Sequence, residues 1–235
     1  MPLVFDISSL DLKDELNQDI WSGDRLRPEV RRALLRIAQE FLEYLGITQV
    51  EDVTFTGSLA NYNWSSHSDI DLHPVIDFST VDENIDLVKD MLLAKKSLWN
   101  DSHEVTVRGF EVECYPQDHS EPHHSTGVYS VLHDQWITRP NRDRPGIDGG
   151  AVREKALALM DLIDDAIGPE ECDVECLDRV KEKVKRMRQA GLETGGEFSV
   201  ENLAFKVLRR NGYLQKLYGT ADERLDTELS LEGLE

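Results

Sequence analysis

The chain has 235 residues, of which 40% are hydrophobic and 31% charged. That length fits one large domain or two small ones, and the balance fits a packed globule rather than a disordered or collagen-like chain. A formal charge of −20 disfavours a general nucleic-acid-binding surface, which needs cations to neutralise phosphate.

No apolar run approaches the ~20 residues of a membrane span, and the opening MPLVFDISSLDLKDEL is too acidic for a secretory signal. Three cysteines, Cys114, Cys172 and Cys176, are too few for a disulfide framework and suit a reducing compartment. A cytoplasmic chain with no membrane partner is expected.

Residues 1–27 mix acidic and apolar positions around Trp21, which predicts an irregular arm or short helices. From Pro28, the residues Val30, Leu34, Ile37, Phe41 and Leu45 recur at helical spacing, and Gly46 ends the helix. Val53 and Phe55 alternate with polar neighbours in a short strand that runs into Thr56-Gly57-Ser58. A second strand is expected from Asp69 to His73 or slightly beyond. Ile85, Val88, Leu92 and Trp99 mark another amphipathic helix. Glu104 to Tyr115 forms one or two β segments turning at Arg108-Gly109, and Val128 to Leu132 forms a further strand.

Composition changes at Arg139 to Gly150, a stretch rich in Pro, Gly and charge. Beyond it the pattern is helical. Val152, Ala156, Leu159, Ile163 and Ala166 form one stripe, ended by Gly168-Pro169. Val174, Leu177, Val184 and Met187 form a second, ended near Gly191. Ser199 caps a third, which turns Leu203, Val207, Leu214 and Leu217 inward and is broken or kinked at Asn211-Gly212. The acidic tail from Asp222 is expected to fray. The predicted class is therefore α/β (α+β): residues 1–147 form a mixed sheet flanked by helices, and residues 148–235 form a helical domain. Within the latter, residues 179–216 carry ten Lys/Arg against four Glu, a net of +6, so the rest of the chain carries −26. A local basic face is compatible with that distribution, as is a solvated amphipathic helix pair.

The chemistry concentrates in Phe55-Thr56-Gly57-Ser58-Leu59-Ala60 and Ser68-Asp69-Ile70-Asp71-Leu72. A strand ending in Gly-Ser permits close backbone approach and offers a hydroxyl and an amide to a phosphate, with a helix N-terminus expected just behind. The ten residues between Ser58 and Asp69 allow a short helix and a return. Asp69 and Asp71 on one strand share a face, and carboxylates so close repel each other unless a divalent cation lies between them. Paired-metal phosphoryl chemistry normally recruits a third carboxylate. Glu111 and Glu113 alternate on one strand, and spacing alone does not choose between them.

These residues resemble the polymerase-β-like nucleotidyltransferase superfamily, whose signature is Gly-Ser, about ten residues, then Asp-apolar-Asp, with a third acid on a neighbouring strand. Gly57-Ser58 and Asp69-Ile70-Asp71 match in identity and spacing. Glu113-Cys114-Tyr115-Pro116 is similar to the Asp-x-x-Pro that carries the third acid in many members, with Glu replacing Asp, and this favours Glu113. Gly127, Tyr129, Ser130, Trp136 and Pro140 resemble a segment of the cyclic-oligonucleotide and oligoadenylate synthase branches. Further stretches, ENLAFKVLRRNGY among them, look similar to nucleotidyltransferase-domain proteins of tailed bacteriophages.

The resemblance implies a Mg²⁺-dependent transfer, with Mn²⁺ able to replace Mg²⁺, of a nucleoside monophosphate from an NTP to an acceptor hydroxyl, releasing pyrophosphate. ATP is the expected donor. The acceptor is left open among an RNA end, a protein, a second nucleotide and a small alcohol, and long duplex DNA is disfavoured by the charge. Asp69, Asp71 and Glu113 are the implied metal ligands and catalytic acids, and Gly57 and Ser58 hold the β- and γ-phosphates. Lys206 and Arg210, which share a helix face by i, i+4 spacing, are implied contacts to the triphosphate, with Arg153 and Lys155 as weaker candidates. The alternative is a nucleotide-sensing module of the same fold without turnover. Pro74 departs from the pattern, because a proline in a central strand requires a bulge or a strand end.

The remaining candidates have plainer readings. His119 with His123 or His124 is one zinc possibility, set against a polar loop. His73 shares a strand face with Asp69 and Asp71 and is expected to be a satisfied histidine behind the site. Cys172 and Cys176 are expected to pack without pairing. Tyr129 and Trp136 are either base-stacking or buried aromatics.

Overall fold

The computed structural model describes residues 12–123, 125–141, 146–168 and 172–230. The first part of the predicted arm, His124, residues 142–145 of the compositional boundary, Pro169 and the end of the acidic tail lie outside the described residues. The described residues divide into two compact units, one of residues 12–141 and one of residues 146–230. The chain is a mixed α/β protein, with a seven-stranded mixed sheet and a two-stranded sheet in one unit and helices in the other.

Residues 12–20 of the arm are irregular, as expected, but the stretch from Trp21 is not. It pairs as a two-stranded hairpin, β1 (Trp21–Ser22) with β2 (Arg25–Leu26). The turn is supported by Gly23, whose φ of +62° lies in the left-handed region. Helix α1 (Pro28–Leu45) follows as the spacing predicts, with Pro28 in its first turn and Gly46 closing it at φ 80°. Its fully buried stripe is Val30, Leu34, Ala38, Phe41 and Leu45, while Ile37 is only partly buried. Arg31 reaches off this helix to donate to the carbonyls of Val131 and Leu132, both at 2.8 Å.

The large sheet is built from β3 (Asp52–Thr56), β4 (Ile70–Ile76), β5 (Thr106–Val107), β6 (Phe110–Cys114), β7 (Gln117–Asp118), β8 (Val128–Ser130) and β9 (Gln135–Thr138). The strand order is β5-β6-β4-β3-β8-β9, and β7 also pairs with β4. The β5–β6 hairpin turns at Arg108-Gly109, where φ values of 55° and 84° match the double positive φ of a type I′ turn. Strand β9 was not anticipated. Its residues alternate too weakly in polarity to stand out, and Ile137 and its neighbours are mostly exposed. Helix α2 (Ile85–Ser102) buries Val88, Leu92 and Trp99 as expected, whereas Ile85 at its start is exposed.

Pro74 sits inside β4, not at a bulge or a strand end. It lies opposite Val53 of β3, and the Val53 carbonyl points the other way, accepting from Val131 at 2.7 Å. The Val53–Pro74 pair is thus one of the non-hydrogen-bonded pairs of the antiparallel ladder. On the opposite edge of β4, pairing with β6 ends at Leu72 and pairing with β7 begins at Val75. The missing N–H of Pro74 falls in the gap between those two partners, so it costs the ladder nothing.

One sheet face is apolar and one is polar, because side chains alternate. Ile70, Leu72 and Ile76 of β4, Val53 and Phe55 of β3, and Phe110, Val112 and Cys114 of β6 belong to a single core with the buried stripe of α1. Trp21 closes this core. It stacks on Phe55 and Trp136 with centroids 5.6 and 4.7 Å away, meets Tyr129 edge-on at 5.0 Å, and donates its indole N–H to the Leu59 carbonyl at 2.7 Å. Tyr129 and Trp136 are therefore aromatics of the core, and the base-stacking reading is set aside.

The second unit contains α3 (Gly149–Ile167), α4 (Val174–Gly195), α5 (Val200–Arg210) and α6 (Tyr213–Leu229). Asp148, Asp173 and Ser199 cap the first three by accepting from the third amide beyond them. Gly212, at φ 73°, separates α5 from α6. Helix α4 does not stop at Gly191. That glycine is a packing position, where a Cβ would come within 2.5 Å of the Glu201 Cβ. The stretch after Asp222 continues as helix to Leu229, with Ala221 buried and Arg224 donating to the carbonyls of Cys172 and Ile167. Cys172 and Cys176 form a disulfide across the start of α4, which corrects the reading of both as unpaired. Among the described residues no helix is long and apolar enough to cross a membrane.

Trp21→Ala should destabilise the sheet-bearing unit by about 3–5 kcal/mol, since it empties a fully buried site shared by three aromatic rings. Urea unfolding followed by circular dichroism measures this, and a loss below about 1 kcal/mol would show that the hairpin is not part of the core.

Candidate functional site

The polar sheet face carries the predicted acids. Asp71 is level with Thr56 of β3 on one side and with Glu113 of β6 on the other. Strand neighbours in register lie about 5 Å apart, so Asp71 and Glu113 stand side by side on the same face. Glu111 and Glu113 both point to this exposed face, alternating with buried Phe110, Val112 and Cys114. Register distinguishes them, because only Glu113 is level with Asp71. Asp69 lies just before β4 rather than within it, half-buried.

Gly57 makes this arrangement sterically feasible. It leaves β3 at φ 78°, and a Cβ built on it would lie 1.7 Å from Oδ2 of Asp71. The Asp71 carboxylate thus occupies the space of the missing side chain. The expected helix behind the Gly-Ser pair is only a single 3₁₀ turn, Ser58–Ala60, so no helix macrodipole contributes there. Its first amides, those of Ser58 and Leu59, have no acceptor among the described residues, as is usual at the start of a helical turn.

Several polar contacts that the sequence did not reveal hold the turn. Asn61 donates its amide to the Gly57 carbonyl at 2.6 Å and to the Ser125 hydroxyl at 3.0 Å, and it accepts from the Thr126 hydroxyl at 2.7 Å. Gly127 backs this clamp so closely that a Cβ there would come within 2.2 Å of the Ala60 carbonyl oxygen. Ser58 donates to Ser68 at 2.7 Å, closing the ten-residue excursion between the two motif halves, and Ser68 accepts from the Ser65 amide at 3.0 Å.

His73 follows Asp71 on the same face. Its Nδ1 pairs with Gln117 Oε1 at 2.9 Å, and its Nε2 lies 3.3 Å from the Thr56 hydroxyl. Burial pushes the imidazole down to about 4, against the Gln117 hydrogen bond, and the nearby charges of His123 and Lys96 act in the same direction as burial. It is a neutral, satisfied histidine. Cys114, next to Glu113, faces the core, and burial raises its thiol to about 12, which leaves it inert as a nucleophile.

Among the described residues, one trio of His, Asp or Glu groups has all its ligand atoms within 4.8 Å of one another: Glu51, Asp77 and His119. Asp69, Asp71 and Glu113 are not such a trio. His119 approaches Asp77 and Asp118 at 3.6 and 3.8 Å, and among the described residues it makes no metal-ligand trio with His123, in keeping with the polar-loop reading; His124 lies outside the described residues. In the helical unit, Lys206 and Arg210 lie half-buried on α5, and Lys155 pairs with Glu201 at 3.2 Å. No protein-family model, curated protein or solved structure matches the chain.

Two predictions follow from this geometry. Gly57→Ala should cost roughly 1–3 kcal/mol in thermal or urea unfolding, because the new methyl group meets the Asp71 carboxylate and the backbone stays at positive φ. Unchanged stability would contradict the close approach. The second concerns pH. His73 is depressed from 6.5 to about 4, so the unfolded chain takes up its proton first as pH falls. Its contribution is whole above about 6.5, declines between 6.5 and 4, and amounts to at most about 3 kcal/mol. In EDTA, His73→Gln should flatten the stability–pH curve across that window, and an unaltered slope would assign the loss to other groups.

Proposed function

We propose that the sheet-bearing unit is a metal-dependent nucleotidyltransferase of the polymerase-β-like type. The observation that carries this reading is the alignment of the Gly57-Ser58 turn, Asp71 and Glu113 across three adjacent strands, β3, β4 and β6. Asp69 adds a fourth group at the start of β4. The donor set is made of carboxylate oxygens, which suits hard cations such as Mg²⁺ or Mn²⁺, and the glycine lets the Asp71 carboxylate sit directly against the Gly57-Ser58 turn. Bound divalent ions would neutralise the triphosphate and acidify the acceptor hydroxyl.

The chain's own groups divide the rest of the work. Ser58 offers its hydroxyl, and the amides of Ser58 and Leu59 donate to the β- and γ-phosphates of ATP. Asp69 and Asp71 hold the cation-bound triphosphate against the sheet face. Glu113 orients the acceptor hydroxyl and takes its proton as the acceptor oxygen bonds to the α-phosphorus. The α–β phosphoanhydride bond breaks, and pyrophosphate leaves. The overall acidity favours an acceptor that does not demand a broad cationic surface, such as an RNA end, a protein hydroxyl, a nucleotide or a small alcohol.

Replacing both Asp69 and Asp71 with Ala should abolish pyrophosphate release from Mg²⁺-ATP, because the cations lose two of their proposed ligands. Release at the parent rate would refute the assignment. ATP binding by the parent without turnover, across a screen of all four acceptor classes, would point instead to a nucleotide-binding module. Glu113→Gln should reduce kcat by roughly 100-fold or more while leaving Mg²⁺-ATP affinity largely intact, and Glu111→Gln should be mild. The reverse ranking in steady-state kinetics would move the third acid to Glu111.

A further inference from the structure

We propose that the opposite end of the same sheet binds a divalent transition-metal ion through Glu51, Asp77 and His119. This site is independent of the nucleotidyltransferase reading. The three residues lie where three neighbouring strands begin or end: Glu51 just before β3, Asp77 just after β4 and His119 just after β7. Backbone bonds fix that juxtaposition, with the Glu51 amide donating to the Val75 carbonyl at 2.8 Å and the His119 amide to the Ile76 carbonyl at 2.9 Å. Asp71 and Asp77 are six residues apart along one strand direction, about 20 Å, so the two sites do not share ligands.

The ligand atoms of the trio already lie within 4.8 Å of one another. Around a tetrahedral zinc ion with bonds of about 2.0–2.2 Å, donor atoms lie roughly 3.3–3.6 Å apart, so closure requires shifts of about 1 Å. Glu51 and His119 are exposed and have the freedom to make them. Asp77 is braced, its Oδ1 accepting from the Ser79 amide at 2.9 Å and hydroxyl at 2.6 Å. Asp118 faces the same ring nitrogen of His119, with Oδ1 3.8 Å from Nδ1. The Asp118 carboxylate is itself held by the amides of Phe78 and Ser120 at 3.0 and 3.1 Å. Nδ1 of His119, 3.6 Å from Asp77 Oδ1, is the nitrogen presented to the ion.

The donor chemistry selects the metal class. One imidazole with two carboxylates suits Zn²⁺, Co²⁺ or Ni²⁺, whereas Mg²⁺ prefers oxygen alone. Three protein ligands leave at least one position for water or a further ligand. Bound there, the ion ties the two-residue strand β7 to β4 and β3, so it acts at least as a clip on the sheet end.

The test uses the full chain, stripped with EDTA and kept in excess Mg²⁺ so that the carboxylate face around Asp71 is supplied with its own preferred ion. Co²⁺ is titrated while the visible absorption is recorded, and Zn²⁺ binding is measured by calorimetry. One equivalent should bind and raise the melting temperature. His119→Ala and Glu51→Gln should each weaken binding about tenfold or more, the lower end of what is lost even when a group that only orients a ligand is removed. His123→Ala, and the Asp69→Ala/Asp71→Ala pair, should bind as the parent does. Circular dichroism of the metal-free variants checks that each is folded, as expected for exposed positions. The proposal is overturned by absence of binding to the parent, by unchanged affinity in His119→Ala and Glu51→Gln, or by loss in His123→Ala with retention in Glu51→Gln.

Discussion

The candidate site depends on one steric constraint, the contact between Asp71 and the backbone of Gly57. A side chain at Gly57 would overlap the carboxylate, with its Cβ 1.7 Å from Oδ2. Glycine therefore meets two requirements at one position, the positive φ with which the chain leaves β3 and the space Asp71 occupies. Everything else at the site is arranged around this contact. Asn61 holds the Gly57 carbonyl, the Ser58–Ser68 bond closes the excursion to β4, and the parallel pairing of β4 with β6 brings Glu113 level with Asp71.

The sheet separates stability from chemistry by the alternation of its side chains. On one face Phe55, Leu72, Cys114 and Tyr129 are fully buried, closed over by Trp21 and the stripe of α1. On the other, Thr56, Asp71, His73 and Glu113 form a polar face that runs from buried Thr56 through half-buried Asp71 and His73 to exposed Glu113. A substitution on the polar face should therefore be felt in binding and pH dependence, and one on the core face in unfolding. Strand β4 links two separate polar clusters, with Asp71 near its start and Asp77 just past its end.

Local patterns made much of this legible in the sequence. The helical period found α1 and α2, Arg108-Gly109 announced its hairpin, and the period of two put Asp71 and Glu113 on polar strand positions. What escaped was governed by distant contacts. Asn61 gains its role from Ser125 and Thr126, more than sixty residues away, and nothing in its neighbours signals that clamp. Pro74 is accommodated only because two short strands, β6 and β7, share one edge of β4. Cysteines four residues apart look alike on a helix whether they pack or pair, so the Cys172–Cys176 disulfide was invisible to spacing. Gly191 imitates a helix end but serves a tight contact with α5.

The central claim is that triphosphate and cation meet at the Gly57-Ser58 turn and the Asp71–Glu113 pair. Anomalous diffraction from crystals soaked with Mn²⁺ and a non-hydrolysable ATP analogue tests it most directly. A manganese peak flanked by the carboxylates of Asp71 and Glu113 is expected, with the β- and γ-phosphates against the Ser58 and Leu59 amides. Nucleotide phosphates bound elsewhere, with no manganese at Asp71, would contradict it.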